Sequence, residues 1–168
     1  MATTMHKQES RTGWAVKHGI IGGLIVAVIF AIAEGVGSVL IDGKGFLMPL
    51  VAFSSIPLGT PPPQIMPSVG IPVGLIFHLF YTALLAVIGT LIIVNVPALH
   101  RTSTITVIAA AVYGTLAWVV GLYIVAPAIG RPWFAQTPPV QQFVYHTFFF
   151  GALLGLYIAR QLRTAPPA

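Results

Sequence analysis

Four long apolar segments, separated by polar or proline-rich stretches, dominate the hydrophobic pattern of this chain. They cover residues 20–41, 71–94, 105–129 and 140–159. An α-helix of about 20 residues, rising about 1.5 Å per residue, matches the roughly 30 Å hydrocarbon core of a bilayer. The pattern therefore predicts an all-α fold, an integral membrane four-helix bundle that forms a single transmembrane domain over residues 1–168.

Two proline-rich stretches join these segments, at residues 42–70 and 130–139. Within the first, residues 46–58 are apolar but too short to span a membrane, and Pro49 and Pro57 interrupt them. Such a segment is typical of an interfacial or re-entrant flap.

The first apolar segment allows two interpretations. Ala31-Ile32-Ala33, followed by Glu34, resembles the small-residue cleavage site of a signal peptide. The polar stretch before the segment is long, however, and the apolar run continues past Glu34. This favours a helix that is retained, and cleavage of residues 1–33 is the alternative.

The composition agrees with a lipid environment. Of the 168 residues, 57% are hydrophobic and 7% are charged, whereas roughly a quarter of a soluble domain is charged. The net charge of +5 comes without a basic stripe interleaved with aromatic residues, so it does not indicate nucleic-acid binding. Because the chain has no cysteine, disulfides, thiolate metal sites and thiol catalysis are excluded.

The positive residues predict the orientation, because cytoplasmic loops of membrane proteins carry an excess of lysine and arginine. Six lie near one set of helix ends and two near the other: Lys7, Arg11, Lys17, Arg101, Arg160 and Arg163 against Lys44 and Arg131. This distribution predicts that both termini are cytoplasmic and that both proline-rich loops are on the outer face. The expected location is the plasma (inner) membrane of a prokaryote.

Small residues recur at four-residue spacing in every apolar segment. In the first they are Gly23, Ala27, Ala31 and Gly35. Such rows let helices approach closely, and close packing drives helix association in lipid. They predict a compact bundle, and they suit a homo-oligomer or partner membrane subunits in addition to the lipid bilayer.

Each apolar segment also carries one polar or ionisable side chain at a similar predicted depth. Glu34, His78, Tyr123 and His146 are each six or seven residues from the outer end of their segment, which is about 9–10 Å at the helical rise. Further hydrogen-bonding side chains lie within one turn. The layer predicts an outer-leaflet polar pocket formed by Glu34, His78, Tyr81, Tyr123, Gln142, Tyr145 and His146.

Glu34 is the member of this layer that most needs a partner. An isolated ionised carboxylate in hydrocarbon costs about 3 kcal/mol or more. The residues leave three arrangements open: Glu34 is protonated, is paired with a histidine, or is wetted by a cavity on the outer side. The simplest arrangement is a hydrogen bond from Glu34 to His78 or His146.

The layer leaves several functions open. In one, Glu34, His78 and His146 only tie the helices together, as in a structural subunit of a larger membrane complex. In the second, they form a non-enzymatic, proton-linked pocket for a small ligand or ion. In the third, His78 and His146 are the axial ligands of a b-type haem in an electron-transfer subunit. No nucleophile elbow or phosphate-binding loop indicates an enzyme.

A weak internal repeat is also present. A shift of 68 residues aligns His78 with His146 and Phe80 with Phe148. The helices that carry the two histidines are predicted to cross the membrane in the same direction. The bundle is therefore expected to consist of two related helical hairpins, a layout that places binding sites at the interface between repeats.

Short motifs are spread over all four segments: Ala33-Glu34, His78, Pro132-Trp133, Thr137-Pro138-Pro139-Val140 before His146, and Arg160-Gln161-Leu162-Arg163. Together they resemble those of the YagU-like group of small bacterial inner-membrane proteins. The resemblance implies a similar four-span architecture and polar layer. It implies no mechanism, because that group has no established biochemical activity.

Overall fold

A computed structural model describes residues 10–164, and this part of the chain is helical, without a strand. All helices but the second are long and apolar enough to cross a membrane. The prediction of an all-α, four-span bundle is therefore confirmed. Lys7, which contributes to the predicted orientation, lies outside the described residues. The helices are α1 (Arg11–Leu40), α2 (Met48–Leu58), α3 (Pro67–Asn95), α4 (Ser103–Ala128) and α5 (Pro139–Gln161).

The ends of the helices follow from local sequence. The side chains of Ser10 and Thr102 accept hydrogen bonds from N–H groups in the first turns of α1 and α4, at 3.1 and 3.2 Å, as N-cap residues do. Helix α3 begins at Pro67, four residues before the predicted start at 71, since proline suits the first turn of a helix. Helix α2 ends at Gly59, whose φ of 71° is the left-handed conformation of a helix C-cap.

Helices α1 and α3 form one closely packed pair. A Cβ atom on Gly23 would lie 2.8 Å from the Cα atom of Ala83, and a Cβ atom on Gly19 would lie 2.6 Å from that of Val87. Only glycine permits this approach of the two backbones. The small-residue row of the first segment is therefore a helix–helix contact.

Helices α4 and α5 form the other pair. A Cβ atom on Gly151 would lie 2.8 Å from the Cα atom of Ala111, and one on Gly155 would lie 2.8 Å from that of Val107. The two pairs match the two hairpins expected from the sequence. That the hairpins are related by an internal repeat stays a prediction.

The outer surface of the bundle is apolar. Ile32, Ile76 and Ile108 are all more than half exposed, at 51%, 70% and 57%. Large exposed apolar patches are uncommon on soluble monomers, whereas lipid-facing positions require them.

The two ends of the bundle differ. At one end, the guanidinium of Arg11 lies 3.1 Å from the imidazole Nε2 of His100, which brings the start of α1 beside the turn between α3 and α4. At the other end, which we call the proline-loop end, the stretches 41–66 and 129–138 meet. Helix α2 folds back along α3 there, and its Leu50 carbonyl lies against Gly74.

Candidate functional site

A cavity of about 390 Å³ lies at the proline-loop end of the bundle. Residues from all five helices line it, together with parts of both proline-rich stretches. Five of the seven residues predicted to form the polar pocket are among them: Glu34, Tyr81, Gln142, Tyr145 and His146. The structure thus brings side chains of α1, α3 and α5 to one cavity, and it places His78 and Tyr123 elsewhere.

Glu34 reaches the cavity from α1 and is only 8% exposed. Its Oε2 atom is buried and has no hydrogen-bond partner among the described residues. The expected hydrogen bond to a histidine is not formed among the described residues; each of the two imidazoles instead donates from one nitrogen to a backbone carbonyl group. The sequence left three arrangements open for Glu34: protonated, paired with a histidine, or wetted by a cavity. Its position on the cavity wall corresponds to the third.

His78 is fully buried away from the cavity. Its Nε2 lies 2.9 Å from the carbonyl oxygen of Ala27, to which it donates, and its Nδ1 has no partner. The ring of Phe30 stacks on it at 5.5 Å, and the ring of Phe53 meets it edge-on at 4.6 Å between centroids. His78 therefore lies in an aromatic enclosure between α1, α2 and α3.

His78 also lies deeper than the predicted layer. The Ala27 carbonyl that it contacts is seven residues before Glu34 in α1, or about 10 Å at the helical rise. The cause is the early start of α3 at Pro67, which places His78 eleven residues into its helix instead of seven.

His146 reaches the cavity from α5. Its Nδ1 donates to the carbonyl oxygen of Gln142 at 2.9 Å, so in the neutral ring Nε2 is left as an acceptor. The residue lies in the π-helical stretch Tyr145–Ala152, and such wider turns are frequent at functional sites. His146 thus has an unused acceptor nitrogen in a cavity-lining position.

Tyr123 does not line the cavity. It lies in the π-helical turn Gly121–Val125 of α4, is 40% exposed, and packs against Trp118 with 5.8 Å between ring centroids. A π turn holds more residues than an α turn and so changes which side chains face inward. Gly121 and Leu122 take the cavity-lining positions instead.

The geometry bears on cofactor binding in two ways. The ring of Phe30 contacts both imidazoles, at 5.5 Å from His78 and 5.2 Å from His146. A haem held between the two histidines would therefore require Phe30 to move, and haem binding stays a prediction. Among residues 10–164, no group of three or more His, Asp or Glu side chains is placed to hold a metal ion.

Helix α2 forms one wall of the cavity. From the sequence, this segment was predicted only to be an interfacial or re-entrant flap. Ala52, Phe53 and Ile56 line the cavity from this helix. The apolar residues 46–58 indicated that this segment packs against the bundle or the membrane. Which of its side chains line the cavity depends on how α2 packs against α3, and the sequence pattern does not indicate that. Asp42 and Lys44, just after α1, also line the cavity and were not predicted.

The second proline-rich stretch holds α2 in place. Arg131 donates from Nε to the carbonyl oxygen of Ile56 at 3.1 Å, in the last turn of α2, where a positive charge is favoured by the helix dipole. Trp133 donates from Nε1 to the hydroxyl of Ser55 at 3.0 Å. These contacts join the two loops over the cavity.

Four membrane-length apolar helices with lipid-type outer surfaces define a multi-pass membrane protein with a cavity at one end of its bundle. No protein-family model, curated protein or solved structure matches this chain.

Proposed function

We propose that this membrane protein binds a small molecule or ion in the cavity at its proline-loop end, and that binding is linked to a proton. One observation carries the proposal. Glu34 lines the cavity with a buried Oε2 atom that has no partner within the described part of the chain. A buried polar group without a hydrogen bond destabilises a fold by about 1–3 kcal/mol, so such a group is commonly kept because it acts on something else.

The remaining lining suits a ligand of small-molecule size. Clefts that bind small molecules hold roughly 300–1,000 Å³ and combine apolar walls with a few polar groups. Here Phe53 and Ile56 supply apolar wall, whereas Gln142 and the acceptor nitrogen of His146 offer hydrogen bonds beside Glu34. Ionisable residues within membrane helices commonly serve ligand or proton pathways.

The charge distribution supports an orientation with the cavity on the outer side. Arg11, Arg101 and Arg160 lie at the end of the bundle opposite the cavity, whereas Lys44 and Arg131 lie at the proline-loop end. By the excess of positive residues in cytoplasmic loops, we place both termini in the cytoplasm of a prokaryotic cell. The resemblance to the YagU-like group agrees with this setting. Reporters fused at Gly59 and at Arg101 should report opposite sides, and equal signals from both would contradict the orientation.

Because the natural chain has no cysteine, the cavity can be tested with single thiols. Ala117 lines it, whereas its neighbour Leu116 is 56% exposed on the outer surface of α4. Ala117→Cys should react with a water-soluble maleimide in the purified protein, and Leu116→Cys should not, because lipid or detergent covers it. Benzyl alcohol, benzyltrimethylammonium and benzoate, three probes built on one ring, are then tested for protection of the thiol at 117.

Gly121→Leu provides the blocking variant. Gly121 lines the cavity, and a Cβ atom added there meets nothing within 4 Å, so a larger side chain can start at this position without a backbone clash and is expected to reduce the cavity volume. Ala128→Leu is the matched control, because Ala128 is exposed on the same helix and does not line the cavity. We expect Gly121→Leu to slow labelling of the thiol at 117 and to reduce the protection that the probes give against the remaining labelling, whereas Ala128→Leu should change neither. Equal labelling at 116 and 117, or no protection by any of the three probes, would overturn the proposed function.

A further inference from the structure

We propose that the ligand is a small organic cation, whose charged group lies against Glu34 and whose apolar part contacts the aromatic wall of the cavity. This inference rests on the proposed function and specifies the ligand class of the same site. Its starting point is again the buried and unpartnered Oε2 of Glu34. An ammonium group supplies what that atom lacks, because it brings donors or a positive charge to a carboxylate.

The balance of acidic and basic residues in the cavity lining differs from that of the whole chain. The sequence has eight Lys and Arg residues but only three Asp and Glu residues. Two of the three acidic residues, Glu34 and Asp42, line the cavity, whereas Lys44 is the one Lys or Arg residue in its lining. Asp42 and Lys44 offset each other in charge, so the buried carboxyl group of Glu34 is the further acidic group in the lining that can pair with a cation. The cavity can thus hold a cation in a protein that is basic overall.

Four Phe and Tyr side chains form part of the remaining wall. Phe53, Tyr81, Phe134 and Tyr145 line the cavity from α2, α3, the stretch before α5, and α5. The faces of such rings attract cations, and recognition of quaternary ammonium groups uses this attraction. The wall also accommodates apolar substituents, which a strongly hydrated inorganic ion does not carry.

The other ligand classes fit less well. An anion could not pair with the carboxylate of Glu34 and would meet Asp42 in the lining. Calcium and magnesium ions take about six or more oxygen ligands, and no cluster of three His, Asp or Glu side chains exists within residues 10–164. A neutral molecule would bind without releasing the proton of Glu34, so its binding would not be linked to a proton. An organic cation satisfies both the carboxyl group and the apolar wall.

The charges balance if the cation replaces a proton. Without a ligand, the carboxyl group of Glu34 is kept neutral by its proton; when the cation binds, that proton leaves to water and the carboxylate pairs with the ligand. The net charge of the cavity does not change, which avoids the cost of a lone buried charge. The other titratable groups that line the cavity with Glu34 are Asp42, Lys44, Tyr81, Tyr145 and His146.

The test uses the full chain with the thiol at 117 and compares two probes. Benzyltrimethylammonium should protect the thiol at a concentration about tenfold or more below that needed for benzyl alcohol, since its positive charge can pair with the carboxylate and lie against the aromatic rings, and the neutral alcohol has no such charge. Glu34→Gln, which keeps the shape of the side chain, should remove this advantage, so that the two probes protect the thiol at similar concentrations. In weakly buffered solution, binding of the cation should release about one proton per site.

The outcomes separate this inference from the proposed function. If benzyl alcohol protects as well as the cation, or if Glu34→Gln leaves the advantage of the cation intact, the ligand class is wrong and the cavity function stands. Absence of protection by every probe overturns both. Should Glu34→Gln fail to fold, Phe53→Leu replaces it: this change removes one aromatic face and should weaken the cation several-fold more than the alcohol. Equal weakening of the two probes would then count against the proposal.

Discussion

His78 and His146 are the same residue type in similar local sequence, yet their surroundings are opposite. His78 is sealed between Phe30 and Phe53 and donates to the Ala27 carbonyl of a neighbouring helix. His146 donates within its own helix, to Gln142, and lines the cavity. One imidazole is part of the packing between helices, and the other is available to a ligand.

The direction of each side chain explains the difference. Next to His78, α1 and α3 touch through glycine, so that a side chain of α3 reaches a carbonyl oxygen of α1. The backbone at His146 is also closely packed, because a Cβ atom on Gly114 of α4 would collide with the His146 carbonyl oxygen. The imidazole of His146, in the π-helical stretch of α5, nevertheless lies along the cavity wall and not between two helices. The proposed site therefore includes His146 and Glu34, and not His78.

The largest expected difference in stability is between substitutions of two glycines, Gly74 next to His78 and Gly121 in the cavity wall. Gly74 lies one turn before His78, and a Cβ atom there would collide with the Leu50 carbonyl. Because that contact is with backbone, Gly74→Ala should destabilise the protein by about 3 kcal/mol or more. Gly121→Ala meets open space, and the better helix propensity of alanine should stabilise it by up to about 1 kcal/mol. The free energy of unfolding in mixed micelles measures both effects. Similar changes for the two variants would refute the distinction between a closely packed region around His78 and an open cavity wall at Gly121.

Replacement of the histidines should give the next largest difference. His78→Ala leaves a void in a fully buried site and should destabilise the protein by about 2–3 kcal/mol, as for other large-to-small core changes. His146→Ala only enlarges an existing cavity and should cost about 1 kcal/mol or less. His78→Leu is close to histidine in volume and removes the bond to Ala27, so it should cost much less than His78→Ala; the hydrogen bond is part of that cost, and about 0.6 kcal/mol is typical for such a bond in membrane bundles. A larger loss from His146→Ala than from His78→Ala would reverse the roles given to the two residues.

The fold could be predicted from the sequence because the bilayer imposes a length on every apolar segment. The position of Glu34 could also be predicted, since α1 is a regular helix whose end at Leu40 lies close to the predicted one. The depth of His78 could not, because the apolar residues around Pro67 hide where α3 begins. The orientation of Tyr123 could not either, because nothing in local propensity indicates a π turn. The positions of His78 and Tyr123 depend on how the helices pack against one another. The hydrophobic pattern of a single segment carries no information about that packing.

The smallest expected change in stability comes from the hydrogen bond between Trp133 and Ser55, which joins the two proline-rich stretches over the cavity. Trp133→Phe removes the hydrogen bond from Nε1 to the Ser55 hydroxyl, which should cost about 1 kcal/mol. Because this bond holds the end of α2, a thiol at position 117 should react a few-fold faster with maleimide.

Trp118→Phe is the matched control for this change. It makes the same substitution, but the buried Nε1 of Trp118 has no hydrogen-bond partner within the described chain, so no bond is lost and removal of an unsatisfied group should be neutral or slightly stabilising. If Trp133→Phe and Trp118→Phe alter thiol reactivity equally, aromatic volume and not the bond to Ser55 controls entry. If neither alters it, helix α2 is held by its packing on α3 and by the bond from Arg131 to the Ile56 carbonyl oxygen, and the bond from Trp133 does not control entry to the cavity.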